Sequence, residues 1–383
     1  MLTQKQINEL KEHLDKAQNP IFYYDNDCDG LCSFLILRRY IGRGKGVAVR
    51  SFPDLNAQYA RKARELNADY IFVLDKPIIA REFIEEIVRL GLPLVWIDHH
   101  DIAENDFNKD FQNIFVYNPT KNSGKDRSEE PVTYLAMHLS GRKEDLWLAV
   151  IGCIADHYMP DFSEEFGKRY SEFWGKVNGP FDAYYKTEIG KIAQAFNFGL
   201  KDSTSNIVNL QNFLVSCKGP EDVLVEVSGN YSFRKRYREI KRKYDDLLER
   251  AKKMVFNNLI FFDYSGDLSI SSDIANELSF LYPKKYVSVA YKKGGVSNIS
   301  LRGKDVKKIL ERLIKKFENA SGGGHEDAVG ARIKTEDLEK FKGNLEKESI
   351  ELIYDCSRSS RWITITTTIS TIITAHRVQY YNK

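Results

Sequence analysis

The sequence predicts an α/β protein with an N-terminal parallel sheet, a helical connector and a smaller C-terminal α/β domain. Three observations carry that prediction. Over about the first 160 residues, short β-rich runs alternate with helical stretches, the form taken by strands joined through crossover helices. From Asn257 to about Leu352 the same alternation recurs. Between them lies an aromatic, charged segment that ends in an unbroken helical charge pattern.

In the first part, strands are expected at Pro20–Tyr24, Val47–Phe52, Tyr70–Leu74, Leu92–Ile97 and Asn113–Tyr117. Helices fit Gly30–Ile41, Asn56–Leu66 and Ala80–Leu90, then Pro131–Leu139 and the apolar Glu144–Ile154. The middle segment ends in FRKRYREIKRKYDDLLERAKKM, which suits either a solvated connecting helix held by ion pairs one turn apart or a nucleic-acid-facing one. In the last part, strands are expected at Asn258–Asp263, Tyr286–Tyr291 and Val296–Leu301, with helices at Ser272–Leu281, Val306–Phe317 and Leu338–Glu348. The domain boundaries that follow are residues 1–160, 161–255 and 256–352. Residues 353–383 form a tail whose end is rich in Thr and Ile, either a native strand or a disordered or non-native extension.

The balance of 57 basic and 54 acidic side chains does not announce nucleic-acid binding, so any basic surface must be local. Five scattered cysteines (Cys28, Cys32, Cys153, Cys217, Cys356) form no CxxC pair, which points to reduced thiols and away from structural zinc. No apolar run approaches the roughly 20 residues of a membrane span. The opening MLTQKQINELKEHLDKA is a charged amphipathic helix without a signal-peptide core. The expected compartment is the cytoplasm.

Four clusters fall at the ends of successive apolar elements, where open parallel sheets place their ligand sites. The first is Asp25-Asn26-Asp27-Cys28-Asp29-Gly30. Three buried like charges would be prohibitive without a cation, so this is no core strand. A solvated acidic turn would also read this way. A calcium loop begins similarly, but no glutamate stands at its closing position, where Arg38 and its neighbours fall. The second is Asp75, ending YIFVLD; a lone aspartate there is more often a cap or turn former. The third is Asp98-His99-His100, ending LPLVWIDHH, where two adjacent histidines suit ligation or acid catalysis better than packing. The fourth is Asp156, ending WLAVIGCIAD. Together these carboxylates and imidazoles suit Mn²⁺ or Mg²⁺ and the hydrolysis of a phosphoester or phosphoanhydride.

Far downstream, Gly322-Gly323-Gly324-His325 can bring backbone N–H groups and an imidazole to an oxyanion, or be a flexible turn. Asn298, Ser300 and Arg302 alternate along one strand, offering polar groups and a bidentate phosphate donor, or simply an exposed sheet face.

In this order the motifs resemble the DHH phosphoesterase superfamily, in its branch with a DHH-associated C-terminal domain that includes RecJ-type exonucleases and nanoRNases. The resemblance spans roughly Gln18 to Leu352 and rests on DNDCDG, Asp75, Asp98-His99-His100, Asp156 and the remote GGGH. It implies a DHH domain with a two-Mn²⁺ centre, and a C-terminal domain closing over an interdomain cleft. Asp27 and Asp75 would hold one ion; Asp29, Asp75, His99 and Asp156 would hold the other. His100 would contact the scissile phosphate and protonate the leaving oxygen, with Asp98 orienting its neighbours. Arg302, His325 and the glycine run would grip the substrate phosphate. There is one departure: Tyr23 stands where the superfamily usually has a histidine, and Asp25 is the substitute ligand expected there.

The resemblance implies a RecJ-like exonuclease that releases 5′-mononucleotides from single-stranded DNA or RNA, with DNA repair as its setting. In that reading Phe233, Tyr237 and Tyr244 stack bases while Arg234–Lys253 meets the backbone. The alternatives are a nanoRNase or small-nucleotide phosphoesterase, and a replisome scaffold. A replication complex of the GINS type is the partner the resemblance implies.

Overall fold

The computed structural model describes residues 1–50, 55–100, 111–122 and 130–348. The Thr/Ile-rich tail, Cys356 and the end of the strand expected at Val47–Phe52 lie outside these residues. The chain divides into two compact units, Met1–Lys241 and Arg242–Lys383.

The first unit is built on five parallel strands, β1 (Pro20–Asp25), β2 (Lys45–Val49), β3 (Tyr70–Leu74), β4 (Leu94–Ile97) and β5 (Ile114–Tyr117), in the order β2-β1-β3-β4-β5. Six of its helices matter for the site: α1 (Gln4–Lys16), α2 (Cys28–Ile41), α3 (Ala57–Glu65), α4 (Arg81–Arg89), α5 (Val132–Ser140) and α6 (Leu146–Ala155). Both faces of the sheet are covered, and the strand sequences show why. Successive residues point to opposite faces, and in β1 and β3 both sets are apolar. Phe22, Tyr24, Phe72 and Leu74 enter one core with residues of α2, α5 and α6. Ile21, Tyr23, Ile71 and Val73 enter the other with residues of α3 and α4.

The helices from Ser163 to Ser216 bring Phe166, Phe196 and Leu214 into the first of these cores. The long helix Tyr231–Lys252 does the same with Phe233. The three aromatic residues expected to stack bases are engaged in packing instead, which corrects that expectation. Phe233 and Tyr244 are buried, and Tyr237 stacks on Phe198. Helical spacing of aromatic residues marked a packing face.

The second unit has a six-stranded sheet ordered β10-β11-β9-β8-β7-β6. Its strands are β6 (Val255–Phe256), β7 (Leu259–Ser265), β8 (Tyr286–Lys293), β9 (Val296–Arg302), β10 (Ser321–Gly324) and β11 (Ala328–Lys334). Only β7 and β8 run parallel. Its core joins Ile299, Leu301 and Val329 to helix Val306–Ile314 and to Phe341 and Leu345. The glycine run, read as a turn or an anion loop, is a strand. Any side chain at Gly322 would meet the Gly330 carbonyl at 2.7 Å, and one at Gly324 the Ala328 carbonyl at 2.5 Å.

Candidate metal centre

The strand order 2-1-3-4-5 places a topological switch between β1 and β3, and the crevice beyond the strand ends there is where such sheets bind ligands. Asp25 closes β1, Asp27 caps α2 by accepting from the Gly30 N–H at 2.9 Å, and Asp29 lies in the first turn of α2. Gly30 is obligatory: a Cβ there would sit 2.3 Å from the Asp25 carbonyl. Asp75 follows β3 with φ 57°, and Asp98, His99 and His100 follow β4. Asp156 ends α6.

Two sets of donor atoms converge to within 4.8 Å of one another: Asp29, His99 and Asp156, and Asp75, His99 and His100. His99 belongs to both. Its Nε2 lies 3.4 Å from Asp75 Oδ1 and 3.6 Å from Asp156 Oδ2. Asp75 Oδ1 is sealed from solvent without a hydrogen-bond donor. Such an atom suits a cation, since a buried acceptor left unsatisfied costs about 1–3 kcal/mol. Burial, then the Asp29 and Asp27 carboxylates, push the Asp75 carboxyl well up; burial, Asp25 and Asp29 push Asp27 to about 7. Crowded carboxylates of this kind are relieved by a divalent ion. The donor set therefore fits Mn²⁺ or Mg²⁺, with oxygen and imidazole ligands and no thiolate.

Asp29 is oriented from behind. Its two oxygens accept the N–H groups of Val132 and Thr133, each at 2.8 Å, at the start of α5. Pro131, the N-cap of that helix, offers no side-chain cap, so Asp29 fills the role.

His100 is oriented by Asp98, which is fully buried. Asp98 Oδ1 accepts from the His100 backbone N–H at 2.6 Å and lies 3.2 Å from Nδ1. Burial works against the imidazolium, but the Asp98 hydrogen bond and the charges of Asp98 and Asp156 outweigh it and raise His100 to about 9. Asn118, fully buried after β5, donates to the His100 carbonyl at 2.9 Å. Sequence reading missed Asn118, Thr133 and Lys76. Their roles come from contacts 18 to 104 positions away, and no local pattern marks them.

Asp25 stands apart from both donor sets. Its Oδ1 lies 3.1 Å from Lys76 Nζ, a lysine with 3% of its side chain exposed. Tyr23 also faces away, its hydroxyl donating to the Tyr59 carbonyl at 2.9 Å on the opposite side of the sheet.

In the second unit, Asn298, Ser300 and Arg302 share the face of β9 that lies away from the core containing Ile299 and Leu301. Asn298 is exposed, while Ser300 is buried with its hydroxyl 3.0 Å from that of Ser271. Arg302 donates to Asn276 Oδ1 at 2.6 Å and to the carbonyls of Leu301 and Val329 at 2.9 and 3.2 Å. Gly323 and His325 are exposed, and the His325 N–H donates to the Ala328 carbonyl.

The profile of the DHH family N-terminal domain matches residues 21–157, and that of the DHHA1 domain matches residues 253–349. Among solved structures, RecJ in complex with Mn²⁺ from Thermus thermophilus is 15% identical, with a TM-score of 0.64 over 91% of this chain and 54% of that one. The chain thus spans about half the length of that protein. A manganese-bound exonuclease RecJ is 14% identical, with a TM-score of 0.58 over 91% of this chain and 95% of that one. The DHH domain of a member of a family of ribosomal proteins is 16% identical, with a TM-score of 0.60, covering 90% and 89%. Likeness at these identities is likeness of fold. No curated protein matches the chain.

Proposed function

From the premise that this chain belongs to the DHH superfamily, with a DHH N-terminal domain followed by a DHHA1 domain, we propose that it is a metal-dependent phosphodiesterase of the RecJ-like kind. Members of that superfamily are metal-dependent phosphoesterases. The finer reading is a Mn²⁺-dependent exonuclease that takes single-stranded DNA or RNA to 5′-mononucleotides in the cytoplasm. Among the described residues no helix is long and apolar enough to cross a membrane.

The observation that carries this reading is the convergence, from four separate segments, of two donor sets that share His99, namely Asp29 with His99 and Asp156 and Asp75 with His99 and His100, with His100 held on Asp98. Asp29, Asp75, His99 and Asp156 would hold the ion, which when bound acts as a Lewis acid and lowers the pKa of a coordinated water. The rest is the work of the chain. The Asp98 carboxylate fixes the His100 imidazole through Nδ1, so that Nε2 is the nitrogen through which a proton would pass to the leaving oxygen. Asp156, with 40% of its side chain exposed, marks the solvent side of the centre, where substrate would enter. In the second unit, Arg302, held by Asn276 and two carbonyls, would present its guanidinium to a phosphate. Asn298, Ser300, His325 and the open approach at Gly323 would complete that phosphate-binding group.

A labelled oligonucleotide series of increasing length, with and without Mn²⁺, tests the reading. Metal-dependent release of mononucleotides from long single strands, lost in Asp75→Ala, is the expected result. Cleavage confined to di- to pentanucleotides would replace the exonuclease with a nanoRNase. Absence of both hydrolysis and metal binding would overturn the enzyme altogether.

A further inference from the structure

Lys76 follows Asp75 at the end of β3, a place where a lysine would ordinarily reach solvent. Here it is buried. Burying an ammonium is costly unless a counter-charge receives it, and Asp25, 3.1 Å away, does so. The strands explain the reach: β1 and β3 are neighbours with Tyr24 opposite Leu74, so the segments after them leave the sheet side by side. The backbone around the lysine is also pinned. The Asp75 N–H donates to the Ile97 carbonyl at 3.0 Å, and the Lys76 carbonyl accepts from Trp96 Nε1 at 2.9 Å. Lys76 is thus held in a fixed position against Asp25.

This bears on how many ions the centre takes. Beside Asp27, the positions at which the family resemblance implies the rest of a second ion's ligands are Tyr23 and Asp25. Tyr23 is turned to the opposite core, and Asp25 is engaged by the lysine. Among the described residues, both convergent donor sets contain His99, and neither contains Asp25 or Asp27.

We infer that this centre takes one divalent ion, held by Asp29, Asp75, His99 and Asp156, and that the Lys76 side chain occupies the place where a second ion would contact Asp25. The inference rests on the metal-dependent reading above, and concerns the number of ions rather than their presence. Lysine supplies one positive charge without an open coordination position. It can neutralise Asp25 but cannot activate a water.

The test is the metal content of the full-length chain, independent of activity. The protein is stripped with chelator, dialysed against Mn²⁺, and bound manganese per chain is read by mass spectrometry, with electron paramagnetic resonance separating isolated from exchange-coupled Mn²⁺. The wild type is expected to bind one ion with an isolated signal. Asp25→Asn should bind the same number, whereas Lys76→Met, which frees Asp25, should bind two. Two coupled ions in the wild type would overturn the inference and leave the metal-dependent reading intact; so would loss of an ion in Asp25→Asn, or a count of one in folded Lys76→Met. No bound ion at all in the wild type would overturn the reading itself. Should Lys76→Met not fold, the wild-type count decides alone.

Discussion

Asp29 and Thr133 are joined twice: the Thr133 N–H donates to Asp29 Oδ1 at 2.8 Å, and the Thr133 hydroxyl donates to the Asp29 backbone carbonyl at 2.9 Å. One hydrogen bond aims the carboxylate, and the other clamps the helix turn that carries it. The N-terminus of α5 therefore sets where the carboxylate proposed to hold the ion points, although among the described residues no α5 side chain belongs to the convergent donor sets. Supporting partners of this kind typically govern metal affinity by about 10–100-fold.

Thr133→Val keeps shape and removes the hydroxyl, leaving the buried Asp29 carbonyl without that donor. Stability should fall by about 1–3 kcal/mol and Mn²⁺ affinity by at least tenfold, read by thermal melts and calorimetric titration. Gly152→Ala reaches the same contact from α6. An alanine gains up to about 1 kcal/mol of helix propensity over glycine. Its Cβ, however, would lie 2.3 Å from Thr133 Oγ1 and 2.7 Å from both Cβ and Cγ2. Overpacking costs about 1–3 kcal/mol, so the clash wins and the variant should be less stable than the wild type. Thr133→Ala in the same chain should recover part of the loss by removing two of the three clashing atoms. A Gly152→Ala protein as stable as the wild type would show that α5 and α6 are not packed this closely.

Substitutions at His100 and Asp98 distinguish proton transfer from ligation. His100→Asn should lower kcat by about 10²–10⁴-fold while the bound manganese count stays unchanged. Asp98→Asn should lower kcat less, because the imidazole remains but loses the charge that holds its proton. If manganese is lost in His100→Asn, the imidazole is a ligand in the set with Asp75 and His99, and the acid must be sought elsewhere.

How much of this could be read from sequence follows from what local pattern encodes. Strand Tyr70–Leu74 was found to the residue, because a five-residue apolar run flanked by polar residues admits little else. β11 was missed because Ala328, Gly330 and Ala331 carry little strand propensity although its burial alternates, and β10 because three of its four residues are glycines. Their tight pairing leaves no room for a Cβ at Gly322 or Gly324, a requirement that only the partner strand reveals. In the site, the aspartates and histidines were legible because several charged residues at apolar strand ends have few structural explanations. Lys76 was not, since a lysine after a strand normally reads as exposed. Its burial is decided by the adjacency of β1 and β3, which sequence spacing does not record.

Arg302 tests the second unit. Lysine keeps the charge but cannot satisfy Asn276 and the carbonyls of Leu301 and Val329 together while presenting donors outward. Arg302→Lys should raise KM for single-stranded substrate about tenfold, some 1.4 kcal/mol, with kcat and metal content nearly unchanged. An unaltered KM would remove Arg302 from substrate binding.

His13 gives a pH dependence outside the candidate donor sets. It is buried under the edge of the sheet, with Nδ1 2.6 Å from the Tyr70 hydroxyl and Nε2 3.2 Å from that of Tyr117. Burial, followed by the nearby Lys16 charge, lowers its pKa in the folded protein. The unfolded chain, with an ordinary imidazole near about 6.5, therefore takes up a proton first as pH falls. The neutral imidazole's contribution is complete above that value and is lost as pH falls through it toward the lower folded pKa. His13→Gln keeps a donor and an acceptor between the tyrosines and removes the titration. Against the wild type, it should melt lower at about pH 8, where a neutral His13 is the better fit, and close that gap by about pH 5. For a unit of this size each kcal/mol corresponds to roughly 2–4 °C in melting temperature. A gap that does not change with pH would mean that His13 stays in one protonation state across the range, and that its tyrosine partners, rather than its burial, fix its charge.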